Sequence, residues 1–155
     1  MPGDFETMFI TAADKPALIA CSKPEWAEAA KTALSELGYK THEAVSHADF
    51  AGRFSRVRYE VVIIEELFAA TKTGENLSLH ALQNMAVSQR RHAVIILLGD
   101  GFKTFDAMQA FQNSVHAVIN GSEISMLKHL TEKALADNDL FLHNYREVQN
   151  HIAKL

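Results

Sequence analysis

Tyr59-Glu60-Val61-Val62-Ile63-Ile64-Glu65-Glu66 is the stretch that decides how this chain is read. Four consecutive β-branched residues after a polar pair, closed by two carboxylates, predict a strand buried on both faces with negative charge at its C-terminal tip. In open α/β sheets that tip is where ligands gather. The functional question is whether Glu65 and Glu66 carry chemistry there.

Working outward, the segments on either side supply partners for such a strand. Before it, Pro16-Ala17-Leu18-Ile19-Ala20-Cys21 is a short apolar run stopped by Ser22-Lys23-Pro24. Ser22 is a suitable N-cap and Pro24 a suitable first-turn residue. Trp26, Ala29, Ala30, Ala33, Leu34 and Leu37 then recur at helical spacing until Gly38. Lys40–Val45 predicts a more polar edge strand, and Ser46 opens a helix with Phe50, Phe54 and Val57 on one face. After the central strand, residues 68–75 form a loop, and Leu77, Leu79, Leu82, Met85 and Val87 predict a helix running to Gln89-Arg90-Arg91. Ala93–Leu98 is a second fully buried strand, closed by Gly99-Asp100-Gly101. A helix with Phe105, Met108, Ala110 and Phe111, then a strand Val115–Ile119 ending at Asn120-Gly121, complete the alternation.

Five strands alternating with helices predict an α/β fold, a five-stranded doubly wound parallel sheet of order 2-1-3-4-5, flavodoxin-like or receiver-like. An extended C-terminal helix follows it. Ile124, Leu127, Leu130, Ala134 and Leu135 point inward on a fifth helix that Asp137-Asn138-Asp139 is expected to interrupt. Beyond, Phe141, Tyr145, Val148, Ile152 and Leu155 fall at alternating spacings of four and three, a short coiled-coil-like seam. The expected organisation is a linker or tail over 1–15, an α/β domain over 16–136 and a helical extension over 137–155. The extension either folds back on the domain or serves a homodimer or another protein partner.

Composition sets the outer limits. The 155 residues are 48% hydrophobic and 22% charged, with a formal net charge of −4, which suits one soluble domain and argues against broad nucleic-acid binding. No run approaches the length of a membrane span, and the N-terminus lacks the charged start and apolar core of a secretory signal. The single cysteine, Cys21, excludes an internal disulfide and suits the cytoplasm.

The element order, Pro24 after the first strand, the Tyr59-Glu60 opening of the third and the Gly74 loop after it resemble a response-regulator receiver domain, over roughly residues 16–136. That resemblance implies an acidic magnesium-binding pair after the first strand, a phosphorylated aspartate ending the third, a hydroxyl ending the fourth and a lysine ending the fifth. Here Cys21 and Ser22, Glu65, Leu98 and Asn120 stand at those positions, with Glu66 beside them. Magnesium requires near-octahedral oxygen ligation, and phosphoryl transfer requires positive charge opposite the developing negative charge. A thiol, a hydroxyl, a leucine and an amide supply neither, so the reading is a degenerate pseudo-receiver with no catalytic residues, no metal and no cofactor. Glu65 as a permanent mimic of a phosphorylated aspartate is the sharper reading, but the groups that would recognise the mimic are replaced. A solvated or capping carboxylate is the simpler one.

The remaining motifs are weaker. Cys21 lacks the arginine six positions later that a phosphatase loop needs, since Ala27 stands there, and is read as inert. Gly99-Asp100-Gly101 lacks a third glycine and a following lysine-serine, so turn chemistry accounts for it. The eight histidines show no metal-ligand spacing. Arg53, Arg56, Arg58, Arg90 and Arg91 precede neighbouring strands and are expected to gather at the edge opposite Glu65, as helix-end cations or a docking patch. By the resemblance, Phe102, Lys103, Met108 and Gln109, with Phe141, Tyr145, Val148 and Ile152, are the expected interaction surface. The function expected is a non-enzymatic, phosphorylation-independent module in a bacterial signalling or two-component system, acting by protein–protein interaction. The alternative is a small-ligand or nucleotide binder at the C-terminal edge of the sheet.

Overall fold

The computed structural model describes residues 9–154; the opening Met1–Glu6 and the seam residue Leu155 lie outside them. The elements are β1 (Pro16–Ala20), α1 (Pro24–Glu36), β2 (Lys40–Glu43), α2 (His47–Arg56), β3 (Val61–Glu65), α3 (Leu77–Asn84), α4 (Val87–Arg90), β4 (Val94–Gly99), α5 (Ala107–Gln112), β5 (Ala117–Asn120), a 3-10 segment Gly121–Met126 and α6 (Leu127–Ala153). The strands form one parallel sheet in the order β2-β1-β3-β4-β5, as the alternation requires.

Every residue of β1, β3 and β4 is buried, because both faces of the sheet are covered. Leu18, Val62, Ile64, Ile95 and Leu97 face Phe50, Phe54, Leu79 and Leu82 of α2 and α3. Ile19, Val61, Ile63, Ile96 and Leu98 face Trp26, Ala30 and Leu34 of α1 and Leu127 and Ala134 of α6. At roughly 1.5–3 kcal/mol per fully buried side chain, these two layers dominate the driving force for folding.

Local expectations hold where the capping chemistry is explicit. The Ser46 hydroxyl accepts from the Asp49 amide, and Asp49 pairs with Arg53 one turn on. Residues 9–15 are less detached than a tail, since Lys40 donates to the Phe9 carbonyl and pairs with Asp14.

Four expectations are corrected. The central strand begins at Val61; Tyr59 precedes it, wholly buried, with its hydroxyl 2.8 Å from His42 Nδ1. The helix expected over 77–89 is two pieces, because Met85 and Ala86 are extended, and Leu77 and Val87 are exposed rather than on an inward face. Phe105 lies before α5 with φ 61°, so Met108 and Phe111 are exposed and only Ala110 is buried there. Asp137-Asn138-Asp139 does not interrupt the last helix. α6 runs 27 residues unbroken, roughly 40 Å, and Asp137 pairs with Lys133 at 2.9 Å. Three residues of modest helix propensity cost only tenths of a kcal/mol each, less than the packing of the turns before them gains. No helix among the described residues is long and apolar enough to cross a membrane.

Candidate functional site

The parallel register sets Glu65 beside Leu98 and Gly99 beside Asn120 at the C-terminal edge of the sheet. Glu65 is buried, and its Oε1 accepts from the backbone amides of Ser22 at 2.8 Å and Lys23 at 3.1 Å. Those amides open α1, so a carboxylate from the central strand serves as the cap of a helix far away in sequence. This displaces the expected cap. Lys23 is the N-cap residue and bonds nothing with its side chain for that purpose, while the Ser22 hydroxyl accepts from the Ala69 amide at 2.8 Å. The Lys23 ammonium lies over the Trp26 ring and 3.3 Å from Asp100.

The other strand ends are equally committed. Leu98 is fully buried in the layer under α1 and α6. Asn120 donates through Nδ2 to the carbonyls of Asp100 and Phe102 and accepts at Oδ1 from the Ser122 amide. Burial pushes the half-buried Cys21 thiol far above the usual range, and the Glu65 and Glu43 carboxylates add to the effect, so the thiolate is suppressed. Burial, and then Asp100, raises Glu66. Among the described residues no three of His, Cys, Asp and Glu converge as metal ligands would.

Asn76 was not foreseen. It is buried, donates to the carbonyls of Glu65 and Glu66, and accepts from the Leu79 amide, so one amide fastens the end of β3 and caps α3. An asparagine immediately before Leu77 was the available signal.

No family model matches the chain, and no curated protein does. Solved structures do match. The signal receiver domain of a histidine kinase from Syntrophus aciditrophicus is 21% identical with a TM-score of 0.58, over 79% of this chain and 91% of that one. A response regulator from Hahella chejuensis gives 14%, 0.53, 83% and 96%. A CheY-like protein from Pseudomonas aeruginosa PAO1 gives 16%, 0.53, 78% and 99%. The chain has the receiver fold.

On that receiver fold the expected interaction surface is only partly a surface. Phe102 is buried, its ring 2.7 Å from where a Cβ on Gly99 would sit, so it belongs to the core. Gln109 accepts from the Lys103 amide, leaving the Lys103 side chain and Met108 outward. Phe141, Tyr145, Val148 and Ile152 are 53–66% exposed along α6, with the Phe141 and Tyr145 rings stacked.

The basic patch is thinned as well. Arg53 is held by Asp49 and Arg90 donates to the Ser114 carbonyl, which leaves Arg56, Arg58 and Arg91 outward. Beside them, both ring nitrogens of His92 are shut off from solvent without a hydrogen-bond partner, and the ring stacks on Phe54. Burial and then Arg58 hold the His92 pKa below its ordinary 6.5. Above that value the ring is neutral in both folded and unfolded chains. As the pH falls below it, the unfolded chain takes up the proton first, and stability is lost. Urea midpoints are expected to fall between pH 7 and 5, and His92→Phe should flatten that slope; an unchanged slope removes His92 as its source. Desolvation and Arg90 move His116 the same way, and its Nδ1 accepts from the Ile95 amide.

Proposed function

We propose that this chain is a non-catalytic, phosphorylation-independent receiver-like module that acts in bacterial signalling or regulation, in the cytoplasm, by binding a protein partner. The observation that carries the reading is the Glu65 carboxylate engaged by the Ser22 and Lys23 amides. Phosphoryl transfer at this position would need an exposed acceptor, a cation bridge and a positive group opposite. Glu65 is buried as a cap, Leu98 faces the core, and the Asn120 amide is spent on two loop carbonyls. Incubation with acetyl phosphate and magnesium is therefore expected to leave the intact mass unchanged. A stable gain of one phosphoryl group ends the proposal.

The partner-binding element of this reading is the exposed seam of α6, Phe141, Tyr145, Val148 and Ile152. A chain ending at residue 138 should retain its unfolding free energy within about 1 kcal/mol, because the removed residues are mostly exposed. It should lose any self-association that the full chain shows by light scattering, or its protein partner in a pull-down. Loss of neither excludes the seam. The three cavities of about 590–710 Å³ are lined by Arg58, which precedes β3 at the edge opposite the one a small-ligand binder would use.

A further inference from the structure

Three cavities meet at the link between α2 and β3. Arg58 lines one of about 590 Å³ with Phe50, Phe54 and Met85, another of about 710 Å³ with Arg91 and Arg146, and a third of about 640 Å³ beside residues 9–16. The first and second share Arg58 and His92, and the first and third share Arg56, Val57 and Arg58, so the three adjoin at the N-terminal edge of the sheet as one stepped groove. The unbroken α6 supplies its far wall and brings Arg146 to it.

The charge of the groove is unusual for a chain whose formal net charge is −4. Arg56, Arg58, Arg91 and Arg146 are exposed, and among the described residues none of their guanidinium groups has an ion pair or hydrogen bond. Neighbouring cations are compensated: Arg53 by Asp49, Lys40 by Asp14. The groove also contains Glu60 and Asp139, which sit toward Tyr39 and, after burial, raise its phenol. Asp14 lines it too but is paired with Lys40, so four uncommitted guanidinium groups against Glu60 and Asp139 leave the groove cationic, and guanidinium is the side chain best shaped to grip carboxylates.

The groove's other property is an apolar floor in which several rings are already engaged. Phe54 is stacked between Phe50 and His92, and Tyr145 is stacked on Phe141. The Lys15 ammonium covers Tyr39. An aliphatic side chain fits the space over Phe50, Phe54 and the half-buried Met85.

We propose that this groove docks an acidic peptide segment of a partner protein, with carboxylates on Arg56, Arg58, Arg91 and Arg146 and one aliphatic side chain over Phe50, Phe54 and Met85. The proposal gives chemistry to the protein-binding reading and shares Tyr145 with the α6 seam, but the Arg58 and Arg91 reversals probe the groove and Val148→Glu probes the seam, so either can fail while the other stands.

A random dodecapeptide library displayed on phage and selected on the immobilised full chain tests it, with winning peptides measured by fluorescence anisotropy. The selected peptides should be net acidic with a recurring leucine, isoleucine or methionine, and should bind more weakly as salt rises. Arg58→Glu with Arg91→Glu should weaken them by about tenfold or more at an unchanged urea midpoint, and alanine at the recurring apolar position should do the same. Val148→Glu, on the seam, should leave them unaffected. No enrichment, enrichment of neutral or basic peptides, or acidic peptides indifferent to the double reversal overturns the proposal. Displacement of the peptides by tripolyphosphate or an oligo-dT at lower concentration than the peptides themselves reassigns the groove to phosphate ligands and overturns it too.

Discussion

Glu65→Ala is expected to cost about 2–4 kcal/mol of unfolding free energy, measured as a lowered urea midpoint at unchanged slope. Two contributions combine. Loss of a capping acceptor costs about 0.5–2 kcal/mol, and leaving part-buried amide donors without partners costs about 1–3 kcal/mol. The donors are the Ser22 and Lys23 amides, and the helix they open carries Trp26, Ala30, Ala33 and Leu34 into the core. Glu65→Gln keeps an acceptor oxygen of the same reach and should recover about half of the loss. A Glu65→Ala protein within about 0.5 kcal/mol of the parent shows that the carboxylate is not holding α1.

The second large effect is expected at Gly121, where β5 passes into the 3-10 segment. A Cβ built there would overlap the Trp26 ring, 2.5 Å from Cη2 and closer still to Cζ2, and would lie 2.9 Å from Asp100 Oδ1. Trp26 is 6% exposed and has the Lys23 ammonium over its ring, so it cannot swing aside into solvent without uncovering the layer beneath α1 and α6. Gly121→Ala should therefore cost about 3 kcal/mol, the upper end for overpacking. Combined with Trp26→Phe, the loss should be clearly smaller than the sum of the two single changes, because the smaller ring removes the clash. Strict additivity in that cycle would place the cost of the alanine elsewhere.

Glu65 and Gly121 also mark how far the sequence could be read. Strand order was legible because Val61–Ile64 and Val94–Leu98 are unbroken apolar runs, and a strand with no polar face must be covered on both sides. The start of α2 was legible because a serine cap is a local signal, satisfied within three residues. The cap of α1 was not, since its acceptor lies more than forty residues away in sequence, and Ser22 offered a plausible local substitute that is engaged instead with Ala69. Phe102 was misplaced for the same reason: one aromatic residue in a glycine-rich loop carries no periodicity to say which way it turns. Asp137-Asn138-Asp139 suggested a break from propensity alone, where the packed turns of α6 and the Lys133–Asp137 pair carry the helix through.

The sequence by itself determined the five-stranded parallel architecture, the replacement of acidic, hydroxyl and lysine positions by Cys21, Ser22, Leu98 and Asn120, and the apolar seam along 141–152. These follow from composition and short-range spacing, which act residue by residue. Only the tertiary structure decided that Glu65 is a helix cap, that Arg53 and Arg90 leave the basic patch, and that Arg146 joins Arg58 and Arg91 across a groove. Each of those depends on which side chain reaches a given amide, carboxylate or carbonyl once the crossovers have closed, a competition among distant groups that no local pattern records.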